Sequence, residues 1–200
     1  MNRVVIASNN PGKLRELAAL LEPLGIEAAP QSDFAVTEAE EPHFTFLENA
    51  LAKARHAARI AGLPALADDS GLCVAALAGE PGVNSAYYAG KEGGREERDA
   101  RNNAKLVERI RAAADRSAFY YCVLVLVRNA GDPTPIVADG TWHGEIVLEP
   151  RGANGFGYDP HFLVAGRALT AAQLAADEKN RASHRGQALA ALAAKLTAGA

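Results

Sequence analysis

The chain has little of three things that mark particular protein classes: cysteine, basic charge and long apolar runs. Only Cys73 and Cys122 occur among 200 residues, both inside apolar stretches, and they fit neither a disulfide framework nor a zinc site. The net charge of -3 leaves no basic surplus for wholesale binding of nucleic acid. No run approaches the ~20 apolar residues of a membrane span, and no export signal opens the chain. We therefore expect a cytoplasmic globular protein without nucleic-acid or membrane partners.

What the chain does contain is a pair of adjacent carboxylates in an apolar setting, Asp68 and Asp69. Short apolar runs lie on either side, over residues 64–67 and 72–75. The first run predicts a buried strand that ends at the two acids. Carboxylates in such a place are costly unless a cation compensates them. The pair therefore predicts a Mg²⁺-dependent enzyme that acts on a phosphate compound.

Basic side chains stand at two predicted helix starts. Asn10 suits an N-cap and Pro11 the first helical position, so Lys13 falls in the first turn. A cation there opposes the helix dipole, whereas the free N–H groups favour an anion. His184 and Arg185 hold the same position in the last predicted helix. Both placements make sense if the side chains face a phosphate; the alternative is an ordinary capped turn with solvated cations.

A glycine-rich loop over residues 151–160 is the second unusual stretch. Its glycines let backbone approach a ligand closely. Phe156 and Tyr158 could flank a planar ring, and Asp159 could accept hydrogen bonds from that ring. The alternative is an Ω-loop that packs its own small aromatic core. The loop therefore predicts either a base-binding site or a self-contained surface loop.

The order of the predicted elements indicates one α/β domain over residues 1–200. Strands and helices alternate in the first half, and a capping box at Thr45 and Glu48 opens a helix over 46–60. The run 118–127 predicts a central strand, and the strands 135–138 and 145–148 are separated by a reversal at 139–144. A charged helix over 96–113 is predicted to be scaffold with an apolar stripe that includes Ala100, and residues 177–180 to be a charged loop. This mixture favours a long twisted mixed β-sheet flanked by helices on both sides.

Five ordered motifs resemble the inosine/xanthosine triphosphate pyrophosphatase family of the bacterial RdgB type. They are Ser8-Asn9-Asn10-Pro11-Gly12-Lys13, Thr45-Phe46-Leu47-Glu48-Asn49-Ala50, Ala67-Asp68-Asp69-Ser70-Gly71-Leu72, Gly155-Phe156-Gly157-Tyr158-Asp159-Pro160 and Glu178-Lys179-Asn180 followed by Ser183-His184-Arg185-Gly186-Gln187-Ala188-Leu189. The resemblance implies an α/β fold whose two lobes enclose an active-site groove. It also implies a homodimer that hydrolyses ITP, dITP and XTP to the monophosphate and pyrophosphate with Mg²⁺.

The resemblance also implies a set of site residues. Asp69 would be the proton acceptor and, with Glu41, a Mg²⁺ ligand. Beside this carry-over, the position of Asp68 next to Asp69 predicts a supporting role, in which it holds metal-bound waters or pairs with a lysine such as Lys53. The substrate-binding residues would be Ser8, Asn9, Asn10, Pro11, Gly12, Lys13, Ser70, Phe156, Gly157, Tyr158, Asp159, Lys179, His184 and Arg185. In that arrangement Phe156 stacks on the base, and Lys179, His184 and Arg185 read its edge and the nearby phosphates.

Two departures and two alternatives accompany the resemblance. Residues 42–44 replace a small polar residue and glycine before the Thr45-Phe46 pair, and Tyr87 stands where many relatives carry arginine. The alternatives are a pyrophosphatase for other modified nucleotides, such as pyrimidines, and a catalytically silent nucleotide-binding module. A panel of ITP, XTP, dTTP and GTP with detection of pyrophosphate tests the first alternative. The second is tested by whether Asp69→Asn keeps nucleotide binding yet abolishes turnover.

Overall fold

A computed structural model describes residues 1–198 of the chain, and this part alternates between strands and helices. Its strands are β1 (Arg3–Ile6), β2 (Glu27–Pro30), β3 (Ala65–Val74), β4 (Ser117–Val127), β5 (Ile136–Ile146) and β6 (Phe162–Val164). Its α-helices are α1 (Pro11–Leu21), α2 (Phe46–Ala61), α3 (Arg95–Ile110), α4 (Ala176–Ala182) and α5 (His184–Ala198). Short 3₁₀ turns cover Glu22–Leu24, Gln31–Phe34, Ala75–Leu77, Gly82–Tyr87, Asp159–His161 and Ala171–Gln173. Among the helices of residues 1–198, none combines the length and the apolar character of a membrane span.

The strands form one six-stranded sheet in the order β2-β1-β3-β4-β5-β6. Strand β1 is parallel to both of its neighbours, and Val5 pairs with Ala29 in β2 and with Ala65 in β3. Strand β6 is antiparallel to β5, with Ile146 opposite Phe162. The long apolar run predicted as a central strand is β4, which has a neighbour on each side. The α/β class and the mixed sheet are therefore confirmed.

Contacts divide the chain into two compact units, and each unit has its own apolar core. The first unit comprises residues 1–69, 122–140 and the chain from Gln187 onward, and the second comprises 70–121 and 141–186. The core of the first unit contains Val4, Ile6, Leu17, Leu21, Leu66, Cys122, Leu124, Leu126, Ala138, Ala188 and Leu192. The core of the second unit contains Leu72, Val74, Leu77, Tyr88, Leu106, Ile110, Ala118, Tyr120, Trp142, Ile146, Tyr158, Phe162, Val164, Ala171 and Leu174.

Both predicted helix caps are present. Asn10 precedes α1, and its Oδ1 accepts hydrogen bonds from the backbone N–H groups of Gly12 at 2.9 Å and Lys13 at 3.4 Å. Thr45 precedes α2, and its Oγ1 accepts from the N–H of Glu48 at 3.2 Å and donates to the carboxylate of that residue at 2.6 Å. These local bonds explain why both helices begin where the sequence predicts.

Strand β3 corrects the expectation that a strand ends at Asp68 and Asp69. It runs on to Val74, so the two acids lie in its interior and the apolar runs on either side belong to one strand. All its residues except Ser70 are buried, because both faces are covered. A strand buried on both faces shows no alternation of apolar and polar residues in its sequence. The two acids after the first apolar run were therefore interpreted as the end of the strand.

Strand β5 is also continuous, and the predicted reversal over 139–144 does not exist. Every second residue of β5 faces the interior, namely Ala138, Gly140, Trp142, Gly144 and Ile146. Two of these inward positions are glycines, which resembled turn residues in the sequence. Gly144 is required because a Cβ there would meet the ring of Phe162 and the carbonyl oxygen of Leu163.

Two further corrections concern helices. The charged residues 177–180 are helical and belong to α4 rather than to a loop. Helix α3 buries Leu106 and Ile110, but Ala100, which was predicted to lie in the apolar stripe, is exposed and Asn102 is buried instead. The Asn102 amide accepts a hydrogen bond from the N–H of Ala89 at 2.8 Å, so a polar side chain fills an interior position of this unit.

Candidate active site

Five charged side chains of the first unit form the carboxylate cluster: Lys13, Glu41, Lys53, Asp68 and Asp69. Lys13 Nζ lies 2.7 Å from Asp68 Oδ2, and the Asp68 side chain is only 3% exposed. Lys53 Nζ lies 2.8 Å from Glu41 Oε2 and 3.4 Å from Asp69 Oδ1. The structure thus brings together the predicted proton acceptor, both predicted metal ligands and both predicted supporting residues. It pairs Asp68 with Lys13, whereas Lys53, the expected partner, binds the other two acids.

The secondary structure explains why these side chains meet. Asp68 and Asp69 occupy consecutive positions on β3, so their side chains leave the strand on opposite faces. Lys13 comes from the first turn of α1, and Lys53 comes from the middle of α2. Each acid therefore meets a lysine from a different helix, which is a relation that sequence spacing does not reveal.

Burial is the largest influence on the ionisation of Asp69 within the carboxylate cluster. Burial raises the pKa of Asp69 to about 6, with further raising by Glu41 and Asp68 and an opposing effect of Lys53. Burial alone would lower the pKa of Lys53, but the three carboxylates outweigh it and raise that pKa. Lys53 therefore stays protonated, and Asp69 is an acid that exchanges its proton close to neutral pH.

The donor set of this cluster fits a divalent cation. Asp69 and Glu41 come from different segments, and both already direct an oxygen at one positive charge, the ammonium of Lys53. Mg²⁺ is commonly held by one or two carboxylates together with substrate phosphates. Within residues 1–198, no group of three or more His, Cys, Asp or Glu side chains is arranged to hold a metal ion. The pair is therefore a two-ligand candidate that calls for further oxygens from a substrate.

Hydrogen bonds within the predicted phosphate loop, residues 8–13, and one from Gln31 outside it hold this loop in place. Ser8 Oγ accepts the N–H of Asn10 at 3.1 Å, and Asn9 Oδ1 accepts the side-chain amide of Gln31 at 2.8 Å. Since Asn10 caps α1, the first N–H groups of that helix already have an acceptor in its side chain. The loop is thus preformed around the Lys13 position.

The second unit holds the loop cluster, which consists of Tyr120, Phe156, Gly157, Asp159, Lys179 and His184. Asp159 is at its centre: Oδ2 accepts the N–H of Phe156 at 2.8 Å and pairs with Lys179, and Oδ1 accepts the hydroxyl of Tyr120 at 3.4 Å. Asp159 is buried, so these three donors compensate its charge. The Asp159 oxygens thus bind the protein, and the expectation that Asp159 also accepts hydrogen bonds from a base stays a prediction.

Gly155 shows how closely this loop is packed. Its φ is +79°, and a Cβ at this position would meet Asp159 Oδ2 and Lys179 Nζ. Only glycine combines this backbone conformation with such a close approach. The ion pair between Asp159 and Lys179 therefore depends on the absence of a side chain at Gly155.

The two aromatic residues of the loop have different roles. Phe156 is 51% exposed, as expected of a platform for a planar ring. Tyr158 is buried in the core of its unit and donates its hydroxyl to the carbonyl of Ser85 at 2.8 Å. Burial raises the pKa of Tyr158 well above its usual value. The Tyr158 ring therefore packs inside the protein, and the expectation that it flanks a ligand stays a prediction.

His184 and Arg185 lie at the start of α5, as predicted. The His184 ring stacks on Tyr120 with centroids 4.8 Å apart and 10° between the planes. An Arg185 guanidinium nitrogen lies 3.4 Å from the hydroxyl of Ser70, and Ser183 Oγ accepts the N–H of Gly186 at 3.3 Å. The structure thus joins Ser70 to Arg185 and joins His184, through Tyr120, to Asp159.

Sequence reasoning missed three residues of α3 that contact the loop cluster. Asp99 Oδ2 accepts the N–H of Gly157 at 3.0 Å, and the Asn103 amide donates to the carbonyl of the same glycine at 2.8 Å. The Arg95 guanidinium lies over the Phe156 ring, 4.5 Å from its centroid. The only signal in the sequence was the spacing of these residues, since i, i+4 and i+8 share one helix face.

The two departures from the family pattern are both at the surface. Phe44 is 96% exposed, while the backbone N–H and carbonyl of His43 bond to the Asn49 side chain, which anchors the segment before α2. The Tyr87 ring is exposed and lies under the side chains of Lys91 and Arg98. Two cationic side chains therefore lie close to this ring.

Comparison with known proteins agrees with the motifs. The model of the Ham1 family matches residues 4–195. The chain is 64% identical to a dITP/XTP pyrophosphatase of Burkholderia pseudomallei (strain K96243) over 195 residues, 98% of this chain and 93% of that protein. A dITP/XTP pyrophosphatase of Bordetella pertussis (strain Tohama I) is 63% identical over 198 residues, 99% of this chain and 92% of that protein. The structure of a HAM1 protein from Coxiella burnetii, 52% identical, matches with a TM-score of 0.94 over 99% of this chain and 100% of that one. The resemblance inferred from the motifs is confirmed, and the chain belongs to the Ham1 family.

Proposed function

We propose that this protein hydrolyses the noncanonical purine nucleoside triphosphates dITP, ITP and XTP to the monophosphate and pyrophosphate, and so removes them from the nucleotide pool. The observation that carries the proposal is the carboxylate cluster, in which Asp69 has a pKa of about 6 beside two lysines and two further acids. The names of relatives that are 63–64% identical over nearly the whole chain support the choice of substrate.

In this proposal the carboxylate cluster receives the triphosphate. Lys13 and the loop over residues 8–13 bind phosphate oxygens, and Asp68 orients Lys13 before the substrate arrives. Asp69 accepts a proton from the attacking water, and a pKa near 6 leaves it mostly ionised at neutral pH yet basic enough to act. Asp69 and Glu41 would hold Mg²⁺, which when bound neutralises charge on the phosphates. The bond that breaks joins the α- and β-phosphates, because the products are a monophosphate and pyrophosphate.

The loop cluster recognises the base in this proposal. Phe156 offers its exposed ring for stacking, and Lys179, His184 and Arg185 supply donors. Hypoxanthine and xanthine present an acceptor oxygen at C6, where adenine presents a donor. Adenine would leave a donor of the protein unpaired, and such a mismatch supports discrimination by large factors.

The test is a substrate panel with separate detection of pyrophosphate and orthophosphate. ITP, XTP, dTTP, GTP and ATP are compared at equal concentration with Mg²⁺ and with a chelator. We expect pyrophosphate from ITP and XTP at rates far above those for the other three, and none without the metal. A preference for dTTP, or binding of ITP without hydrolysis, would contradict the proposal in favour of a different nucleotide or of a silent binding module.

The same resemblance supports a homodimer located in the cytoplasm. Light scattering of the purified protein at micromolar concentration tests the first statement, and a mass of one chain would contradict it. Fractionation of the native host tests the second.

A further inference from the structure

We infer that Arg95 is a specificity-determining residue that makes the loop cluster prefer xanthine over hypoxanthine nucleotides. The inference rests on the proposed function, since it takes the Phe156 ring as the platform for the base. It adds a residue that belongs to none of the five sequence motifs, and it ranks two substrates that the motifs leave equal.

The first step is the charge above the Phe156 ring. Two cations lie over it, Arg95 Cζ at 4.5 Å and Lys179 Nζ at 5.0 Å from the centroid. Lys179 is paired with the buried carboxylate of Asp159. Arg95 is 53% exposed, and its ion pair with Asp99 is long, at 4.0 Å. Of the two cations over the Phe156 ring, Arg95 is therefore the one whose positive charge is less compensated by a carboxylate.

The second step is that the fold sets the position of Arg95. Arg95, Asp99 and Asn103 are spaced four residues apart, so they share one face of α3. Two of them hold the backbone of Gly157 from both sides, at 3.0 and 2.8 Å. Because Gly157 follows Phe156 in the chain, the same helix face places Arg95 at the ring. The contact between Arg95 and Phe156 is thus a consequence of the hydrogen bonds that join α3 to the loop.

The third step is that Arg95 is poorly placed for the helix itself. It is the first residue of α3, where a cation opposes the helix dipole, whereas its neighbours Glu96 and Glu97 suit that end. A guanidinium is planar and stacks on π-systems, so it can lie against an aromatic ring or a purine in the same manner. The position therefore serves the loop cluster rather than the helix.

The last step is the chemistry of the two bases. Xanthine carries a second carbonyl at C2, which makes its ring N–H more acidic than that of hypoxanthine, so it bears more negative charge near neutral pH. A cation close to a stacked base stabilises the more negative base. Arg95 therefore contributes more to the binding of xanthine nucleotides than of hypoxanthine nucleotides.

The experiment measures dissociation constants of XMP and IMP by calorimetry for the wild type, Arg95→Gln, Arg95→Lys and Arg98→Gln. Arg98 is the matched control, because it lies on the same helix over the exposed ring of Tyr87 at 5.6 Å. We expect Arg95→Gln to weaken XMP binding by about three- to tenfold and IMP binding by less than about twofold. Arg95→Lys should retain most of the XMP preference, and Arg98→Gln should retain all of it.

An XMP/IMP affinity ratio that is the same in Arg95→Gln as in the wild type would overturn the inference, as would an equal loss in Arg98→Gln or a wild type that binds neither monophosphate. Thermal unfolding of each variant verifies that the exposed substitutions leave the fold intact, and Arg95→Lys tests the charge even if Arg95→Gln does not fold. Binding of the products does not require turnover, so this result is independent of the pyrophosphate assay that tests the proposed function.

Discussion

Asp69 and Asp159 are both buried aspartates beside a lysine, yet their surroundings differ in kind. Asp69 shares Lys53 with Glu41 and has Asp68 as its neighbour in the strand, and its pKa is raised to about 6. Asp159 receives a backbone N–H, a hydroxyl and an ammonium. The first environment opposes the ionised carboxylate, and the second satisfies it.

This difference indicates separate roles for the two carboxylates. A carboxylate whose burial opposes its ionisation is ready to accept a proton or a cation, which suits the proposed chemistry at Asp69. A carboxylate that is fully bonded serves as a fixed point, and the Asp159 bonds hold Phe156 and Lys179 in place for recognition. We therefore expect that replacing the proton acceptor of the carboxylate cluster lowers activity but raises stability. Substitutions in the loop cluster are expected to lower both.

The sharpest test of this contrast is Asp69→Asn, which has the largest expected effect on activity. Loss of the proton acceptor should lower kcat for ITP by about 10²- to 10⁴-fold. The same change should stabilise the fold in buffer with a chelator at pH 7.5, because it removes a charge that its site opposes. Pyrophosphate release and urea unfolding measure the two effects. A variant that is inactive and also less stable would contradict the contrast.

The pH dependence of that stability gain follows from the sign of the shift. A folded-state pKa raised from 3.8 to about 6 means that the folded protein holds this proton more tightly than the unfolded chain. Ionisation of Asp69 therefore costs stability as the pH rises through this interval, up to about 3 kcal/mol at about 1.4 kcal/mol per pKa unit. The advantage of Asp69→Asn should be largest above pH 6 and vanish toward pH 4. An advantage that is constant with pH would show that it has another cause.

Asp159→Ala is the counterpart in the loop cluster. It removes the partner of Lys179 and the acceptor of the Phe156 N–H, and breaking a buried ion pair on one side costs about 3–5 kcal/mol. We expect a lower midpoint of urea unfolding and, at temperatures where the variant folds, a higher KM for ITP. Asp159→Asn is the control, since it keeps an acceptor oxygen and should lose less. If Asp159→Ala is as stable as the wild type, Asp159 does not hold the loop cluster in place.

Gly155→Ala tests the close packing of the same cluster, and the chain offers a matched control. Both Gly155 and Gly157 have positive φ, +79° and +61°, but a Cβ at Gly157 meets no atom within 4 Å. Each alanine pays a conformational cost of about 1–3 kcal/mol, and Gly155→Ala additionally pushes on the Asp159–Lys179 pair. Gly155→Ala should therefore be the less stable variant and the one with the higher KM. Equal effects of the two alanines would show that only the backbone conformation matters.

The parts of the fold that the sequence predicted are those set by local chemistry. The caps at Asn10 and Thr45 and the apolar strand β4 are local features, and all of them appear where they were expected. The incorrect predictions concern strands whose length depends on tertiary packing rather than on the local sequence. Strand β3 continues through two acids because both of its faces are covered, and β5 continues through glycines because Phe162 fills the space beside one of them.

The motifs could predict which residues belong to the site but not which side chains each of them contacts, because those partners come from distant parts of the chain. The pairing of Asp68 with Lys13 and the burial of Tyr158 both depend on how the elements pack. The contribution of α3 was invisible for the same reason: Asp99 and Asn103 bind a backbone 54 to 58 residues away. A charged helix with one polar face has the same sequence whether that face meets solvent or a loop.

Asn103→Ala is expected to have the smallest effect, and it tests whether α3 belongs to the loop cluster. The substitution removes the hydrogen bonds that the Asn103 amide donates to the carbonyls of Gly157 and Asp99, each worth about 1 kcal/mol. Asn129→Ala removes a comparable side-chain bond, to the N–H of Gly131 at 2.9 Å, in an exposed turn of the first unit. Both variants should be slightly less stable in urea, but only Asn103→Ala should raise the KM for ITP, by about two- to fivefold. If the two variants have the same KM, α3 supports the fold of its unit without positioning the loop, and the contrast between the clusters applies only to the residues around Asp159.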